Sequence, residues 1–405
     1  MSNANAILDT GAPPPTTQDA TQRHVDSLPP TNDKPSIAQP LVKHATQLYT
    51  LSYLVFFAIF GTLARLGLQA LTVYPGAPVV TGVLWANVGG SLLMGFFLED
   101  KNLFREEWGS DDTFANHPGD ATEQAKRHKS VKKTIPLYIG LTTGFCGSFT
   151  SFSSFIRDIF LALSNDLADP SAPTISSRNG GYSFMALVAV ILVTVALSLG
   201  ALLCGAHLAL ALDPLVPAFP FRFTRRLLDP LFVCLGWGCW LGAVFMAIWP
   251  PDRHDASPET WRGQAIFAVV FAPLGCLVRY YVSLMLNTRI PAFPLGTFAV
   301  NIGGTVILAM CFDLQRVDGL GTALSSSAAS SSILTSCQVL EGVMDGFCGS
   351  ATTISTWVAE LNGLGRRRHA YTYGVLSIGI ALGFFVIIAG SLRWTLGFVE
   401  PICTS

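Results

Sequence analysis

Along most of this chain apolar residues run on, with few or no charges, for stretches long enough to cross a bilayer, rather than alternating with polar ones. Nine such stretches occur, at 48–72, 79–98, 135–156, 182–212, 230–248, 263–286, 295–312, 337–358 and 371–398. A helix of about 20 apolar residues spans the hydrocarbon core, whereas helices of soluble proteins are usually shorter and polar on one face. The pattern predicts an all-α integral membrane protein with nine transmembrane helices. Composition agrees: of 405 residues, 50% are hydrophobic and 13% charged, and the mean hydropathy is +0.47. Soluble domains carry about 25% charged residues. A net charge of −1 excludes the basic field of a nucleic-acid binder.

Residues 1–47 are rich in Pro, Thr, Ser, Ala and Asp and hold no apolar run, so they read as a disordered cytosolic tail and not as a signal peptide. Lys and Arg set the orientation. With the amino terminus inside, cytosolic segments hold 17 basic residues and outer segments 6. The odd number of spans then puts the carboxyl terminus outside. Segment 99–134 reads as a soluble cytosolic loop.

The chain repeats itself. Gly61-Thr-Leu-Ala-Arg65 and Trp85-Ala-Asn87-Val-Gly-Gly in the first half answer to Gly275-Cys-Leu-Val-Arg279 and Gly296-Thr-Phe-Ala-Val-Asn301-Ile-Gly-Gly in the second. Arg and Asn stand 22 residues apart in both. A third block, Gly144-Phe-Cys-Gly-Ser, returns as Gly346-Phe-Cys-Gly-Ser. Each repeat, 48–212 and 263–400, holds four spans, and the linker 213–262 adds one. An odd connector forces the second repeat to enter from the opposite face, giving two inverted four-helix repeats joined by a single connector helix. Transporters and channels use this plan, with the site near the midplane.

The repeated polar residues carry the candidate chemistry. Asn87 and Asn301, each followed by two glycines, are either interhelical glue or amide donors facing a path. The third block is a weak helix; a break there frees carbonyls that must face protein, water or a cation such as Na⁺. A glycine-mediated crossing without an ion accounts for it equally well. Phe149, Phe152 and Phe155 share a helix face, and their positive ring edges suit a small anion. Arg65 and Arg279, the basic residues within spans, read as partners of helix-end carbonyls, with an anion-attracting vestibule as the alternative. No metal-spaced His pair, Cys-x-x-Cys or phosphate loop occurs, so the chain does not read as an enzyme. The spans show no carboxylate shared by both repeats, since Glu341 and Asp345 answer to Ile139 and Thr143.

These three blocks together resemble the CrcB/Fluc fluoride channel family, and the fused two-repeat form resembles the eukaryotic fluoride export proteins. The resemblance covers about residues 50–400, apart from the 99–134 insert. It implies passive, selective fluoride conduction out of the cell down the electrochemical gradient, and so a plasma-membrane location and fluoride resistance. It implies a monomer, since the two subunits of the bacterial dimers are fused here. It implies pore residues at Asn87, Asn301, Phe152 and Phe155, with hydroxyls from Thr150, Ser153, Thr352, Ser355, Thr194, Ser198 and Ser377. It implies a structural Na⁺ held by backbone carbonyls near Gly147, Thr150, Gly349 and Thr352. The chain departs from the family where Ile354 and Trp357 stand in place of Phe152 and Phe155, so one competent and one vestigial pore are expected. The competing reading is an inverted-repeat secondary transporter coupling H⁺ or Na⁺ to a small anion. A third is a membrane scaffold without transport.

Overall fold

The structure, a computed structural model, describes residues 38–79, 81–105, 130–167, 179–250, 260–317, 327–401 and 403. Most of the expected tail and residues 106–129 of the expected loop lie outside the described residues. Among the described residues every regular element is helical. The helices are α1 (Ala38–Thr72), α2 (Val83–Glu99), α3 (136–149), α4 (Phe152–Ser164), α5 (Gly180–Leu212), α6 (Phe221–Ile248), α7 (Thr260–Leu286), α8 (Leu295–Gln315), α9 (327–351), α10 (Ser355–Gly363) and α11 (Arg367–Thr395).

Six of these, α1, α5, α6, α7, α8 and α11, are long and apolar enough to cross a membrane, and α2 is a shorter apolar helix. The burial pattern is that of a protein with lipid as its solvent. Leu192, Leu241 and Ile387 are 57–68% exposed, while Asn87, Asn301, Ser198, Ser377 and Arg65 are sealed inside. In lipid the apolar side chains gain nothing by turning inward, and the polar ones must find partners within the protein. α1 begins at Ala38, inside the segment expected to be tail. Pro40 falls in its first turn, where a missing N–H costs no helical hydrogen bond.

Two of the expected spans are broken. α3 widens to a π-turn over Gly140–Cys146, ends at Phe149 and gives way to extended backbone at Thr150 and Ser151 before α4. α9 repeats the sequence of events: a π-turn over Val343–Cys348, an end at Ala351 and extended backbone at Thr352 before α10. The breaks are expected near Gly147, Thr150, Gly349 and Thr352; Gly147 and Gly349 are themselves helical, and the backbone becomes extended at Thr150 and Thr352. The kink falls at the following Thr-Ser and Thr-Thr pairs, whose side chains offer backbone-like alternatives to a helix.

The two halves exchange their broken helices. α4 packs on α8 and α11 of the second half, and α10 on α2 and α5 of the first. α2 and α5 form the most extensive helix pair, seated by glycine: a Cβ on Gly95 would collide with the Leu202 carbonyl, and one on Gly205 with that of Leu92. α6 lies along α1, with Gly236 against the Ser52 backbone, Trp237 Nε1 donating to Ser52 Oγ at 3.0 Å and Tyr53 Oη to Asp229 Oδ1 at 2.9 Å. A disulfide joins Cys337 of α9 to Cys403 beyond α11. Gly205→Val is expected to prise α2 from α5 and cost about 1–3 kcal/mol, in the range of other overpacked cores. The melting temperature in detergent measures this, and an unchanged value contradicts the contact.

Candidate functional site

The site is built where the two breaks meet, the short segments 147–149 and 349–351 touching each other. A broken helix leaves N–H and C=O groups without helical partners, and inside lipid each must be satisfied. Asparagine supplies both halves of that need. Asn87 Oδ1 accepts from Ser151 N at 2.8 Å, and its Nδ2 donates to Ser151 O at 3.4 Å. Asn301 does the same for Thr353, at 2.9 and 3.3 Å. An amide carries two N–H donors, so each asparagine keeps one beyond the break it holds. Ser151 N and Thr353 N turn to these amides, which deprives the Gly147 and Gly349 carbonyls of the helical donor four residues on.

The arginines close the other ends. Arg65 donates to Ser148 O at 3.0 Å and to Asp345 O in the second half. Arg279 donates to Ser350 O at 2.8 Å and to Thr143 O in the first half at 2.7 Å. The contacts match, position for position, with the halves exchanged. Each guanidinium lies flat over the other half's glycine: a Cβ at Gly147 would strike Arg279, and one at Gly349 would strike Arg65. A cation at the carboxyl end of a helix also complements its dipole. Both arginines are buried in the bundle and do not face a vestibule.

The hydroxyls interlock across the crossing. Thr150 Oγ1 lies 3.1 Å from both Thr353 Oγ1 and Ser355 Oγ, and accepts from the N–H of Ile354 and Ser355. Thr352 Oγ1 lies 3.0 Å from Ser153 Oγ and accepts from Ser153 N. Ser355 Oγ reaches Cys146 O at 3.1 Å, and Ser153 Oγ reaches Cys348 O at 3.4 Å. Thr150, Ser153, Thr352 and Ser355 are thus one cluster, and much of their hydrogen-bonding capacity is spent on the crossing. Thr194, Ser198 and Ser377 lie elsewhere, on α5 and α11, and are buried. Ser377 Oγ donates back to Tyr373 O, and Ser198 Oγ meets no partner.

Beside each asparagine runs a row of polar positions. On α8 it is Thr297, Asn301 and Thr305; the matching row on α2 is Val83, Asn87 and Ser91. Tyr373 and Ser377 of α11 stand where α5 has Thr194 and Ser198. Sequence reasoning passed over Thr297, Tyr373 and Glu360. Glu360 accepts from Thr297 Oγ1 at 2.6 Å and from Tyr373 Oη at 2.8 Å. Just past the expected spans 135–156 and 337–358, each repeat does carry a carboxylate. Asp158 and Glu360 stand at equal spacing from Gly144 and Gly346, and counting from the third block would have found them. Asp158 is buried beside Arg157, Nε to Oδ1 at 3.6 Å. Glu341 and Asp345 are half-buried, and Glu341 accepts from Gln315 at 3.0 Å.

Phe152 and Phe155 are fully buried, their centroids 5.9 Å apart. Phe152 also meets Trp357 of the other half edge-on at 5.5 Å. The indole of Trp357 is 1% exposed, and its Nε1–H finds no acceptor in the protein.

Discontinuous helices crossed inside an apolar bundle, their breaks held by buried amides and guanidiniums, define a polytopic membrane protein built around helix breaks. Its family follows from comparison. The model of the family described as CrcB-like protein, Camphor Resistance (CrcB), matches residues 52–206 and 266–391, and the chain belongs to that family. It is 55% identical over 386 residues to Fluoride export protein 1 of Neurospora crassa, covering 91% of this chain and 71% of the relative. It is 35% identical over 348 residues to Fluoride export protein 1 of Candida albicans, covering 85% of this chain and 80% of the relative. A 115-residue stretch is 30% identical to the Fluoride-specific ion channel FluC of Chlorobium luteolum, covering 28% of this chain and 78% of the relative. No solved structure matches significantly.

Asn301→Ala leaves Thr353 N buried without an acceptor, and Asn87→Ala does so for Ser151 N. Each is expected to cost about 1–3 kcal/mol, read from thermal melts in detergent. Asn301→Asp keeps the acceptor and is expected to lose less. Equal stability for Asn301→Ala and the unsubstituted protein contradicts the role in the break.

Proposed function

We propose that this protein is a passive, fluoride-selective channel that exports F⁻ from the cytosol and so confers fluoride resistance. The observation that carries the reading is the buried row Thr297–Asn301–Thr305 of α8, with Tyr373 and Ser377 of α11, on the two helices against which α4, headed by Phe152, is packed. Kinship with proteins named fluoride export protein supplies the ion. Fluoride is small and strongly hydrated, so a path must replace its water with several donors without holding it too tightly to leave. Amide N–H, hydroxyl and ring-edge groups meet that demand without a fixed positive charge.

The route follows Asn301, and the Asn87 side is vestigial. Val83 stands there in place of Thr297, Thr194 in place of the tyrosine, and Ile354 in place of Phe152. Backbone carbonyls near Gly147, Thr150, Gly349 and Thr352 would hold a structural Na⁺. The fit rests on those carbonyls: Asn87 and Asn301 draw the N–H donors away from the ones at Gly147 and Gly349. The ion would add positive charge at the crossing of the two halves. Besides the six long apolar helices, α2 and the two broken helices also cross, giving nine spans in two inverted repeats. The matching exchange of Arg65 and Arg279 supports that inversion. The Cys337–Cys403 disulfide suits an oxidising outer side, which accords with a cytosolic amino terminus, an extracellular carboxyl terminus and a plasma-membrane location. With both halves in one chain, a monomer suffices.

Buried Asp158 and half-buried Glu360 are the observation that favours the other reading, a carrier coupling H⁺ to a small anion. Liposomes loaded with potassium fluoride or potassium chloride and opened to potassium by valinomycin separate the two. Rapid fluoride efflux, with chloride retained and no pH gradient required, is expected. Asn301→Asp is expected to slow that efflux about tenfold or more, as a change of about 1.4 kcal/mol in the path would. Asn87→Asp is expected to leave most of it. Efflux that depends on a pH gradient establishes the carrier instead.

A further inference from the structure

Trp357 presents a feature of the crossing that packing does not explain. It stands in the first turn of α10, and its register mate in the first half, at the same spacing from the third block, is Phe155. Phe155 is fully buried there, so an aromatic hydrocarbon satisfies the packing at this register. Tryptophan adds an N–H donor in its place, and that donor is buried without an acceptor. An unmet buried donor destabilises the fold, and buried indoles usually find a partner. Phenylalanine would carry no such cost.

The surroundings say what that donor faces. The indole meets the Phe152 ring edge-on at 5.5 Å and lies 6.5 Å from the Tyr373 ring, centroid to centroid. The benzo edge next to its nitrogen lies 3.8 Å from the position a Cβ would take at Gly374 of α11. The indole edge that carries the N–H thus lies toward α11 at Gly374, with the rings of Phe152 and Tyr373 on either hand. Register pairs the aromatic positions across the halves: Phe152 goes with Trp357, and their mates are Ile354 and Phe155. One side thus carries two aromatic rings and an N–H, and the other carries a single ring.

We infer that the Trp357 indole N–H is an anion ligand: it donates a hydrogen bond to fluoride as the ion passes between Phe152 and Tyr373. The residue that breaks the phenylalanine pattern then supplies a stronger donor than a ring edge on the Asn301 side. This rests on the reading of that side as the fluoride path. It goes beyond it by assigning a donor in place of a lost ring.

The test uses the full-length protein in liposomes and in detergent. Trp357→Phe keeps a ring and removes the N–H. Its fluoride efflux is expected to fall about tenfold, equivalent to about 1.4 kcal/mol, with chloride still retained and the melting temperature unchanged or raised. If that variant fails to fold, 3-benzothienylalanine introduced at position 357 keeps the bicyclic shape and lacks the N–H. In protein labelled with ¹⁵N at the indole nitrogens, the resonance missing from Trp357→Phe is expected to shift with sodium fluoride and not with sodium chloride. Unsubstituted protein that holds fluoride back overturns the channel reading, and the indole resonance still decides whether Trp357 binds the anion. Trp357→Phe conducting at the unsubstituted rate, or an indole resonance unmoved by fluoride, overturns the assignment.

Discussion

A helix broken in the middle of an apolar bundle exposes backbone where no water can reach it, and the rest of this structure answers that problem. Two asparagines take up the N–H and C=O of Ser151 and Thr353. Two arginines take up carbonyls of the two helices that end at the breaks. The hydroxyls of Thr150, Thr352, Ser153 and Ser355 stitch one break to the other. Left unmet, each of these groups would cost a sizeable part of the few kcal/mol by which a fold is stable.

The exchange between halves follows from the same demand. Arg65 reaches Asp345 O and Arg279 reaches Thr143 O, so neither half completes its own break. Glycine at 147 and 349 lets each guanidinium lie against the opposing helix. The work of the repeated motifs is therefore divided. Gly and Arg hold the crossing, Asn holds it and keeps one N–H in hand, and specialisation of the path falls to positions where the halves differ: Thr297 against Val83, Tyr373 against Thr194, Trp357 against Phe155.

Much of this was legible in the residues alone. Charge-free runs announced the long helices, because hydrocarbon tolerates nothing else. The Arg-to-Asn spacing and the doubled Gly-Phe-Cys-Gly-Ser block announced two related halves. The breaks were legible to within a few residues, near Gly147 and Thr150 and near Gly349 and Thr352, but not which residue of each block carries the kink. Glycine is the usual sign of a weak helix, and here it marks close approach, while the kink falls on the hydroxyl residues after it. Glu360 and Tyr373 escaped notice because their partner, Thr297, lies distant in sequence and only folding brings the three together. The Cys337–Cys403 bond escaped for the same reason.

The central claim is passive, fluoride-selective conduction through a path without a coupled proton. The reversal potential of the current across a planar bilayer, with unequal potassium fluoride on the two sides, tests it most directly. The account predicts reversal at the equilibrium potential of fluoride, unmoved when a pH gradient is imposed or chloride is added to one side. A reversal potential that follows the pH gradient, or that moves toward the chloride potential, would contradict it.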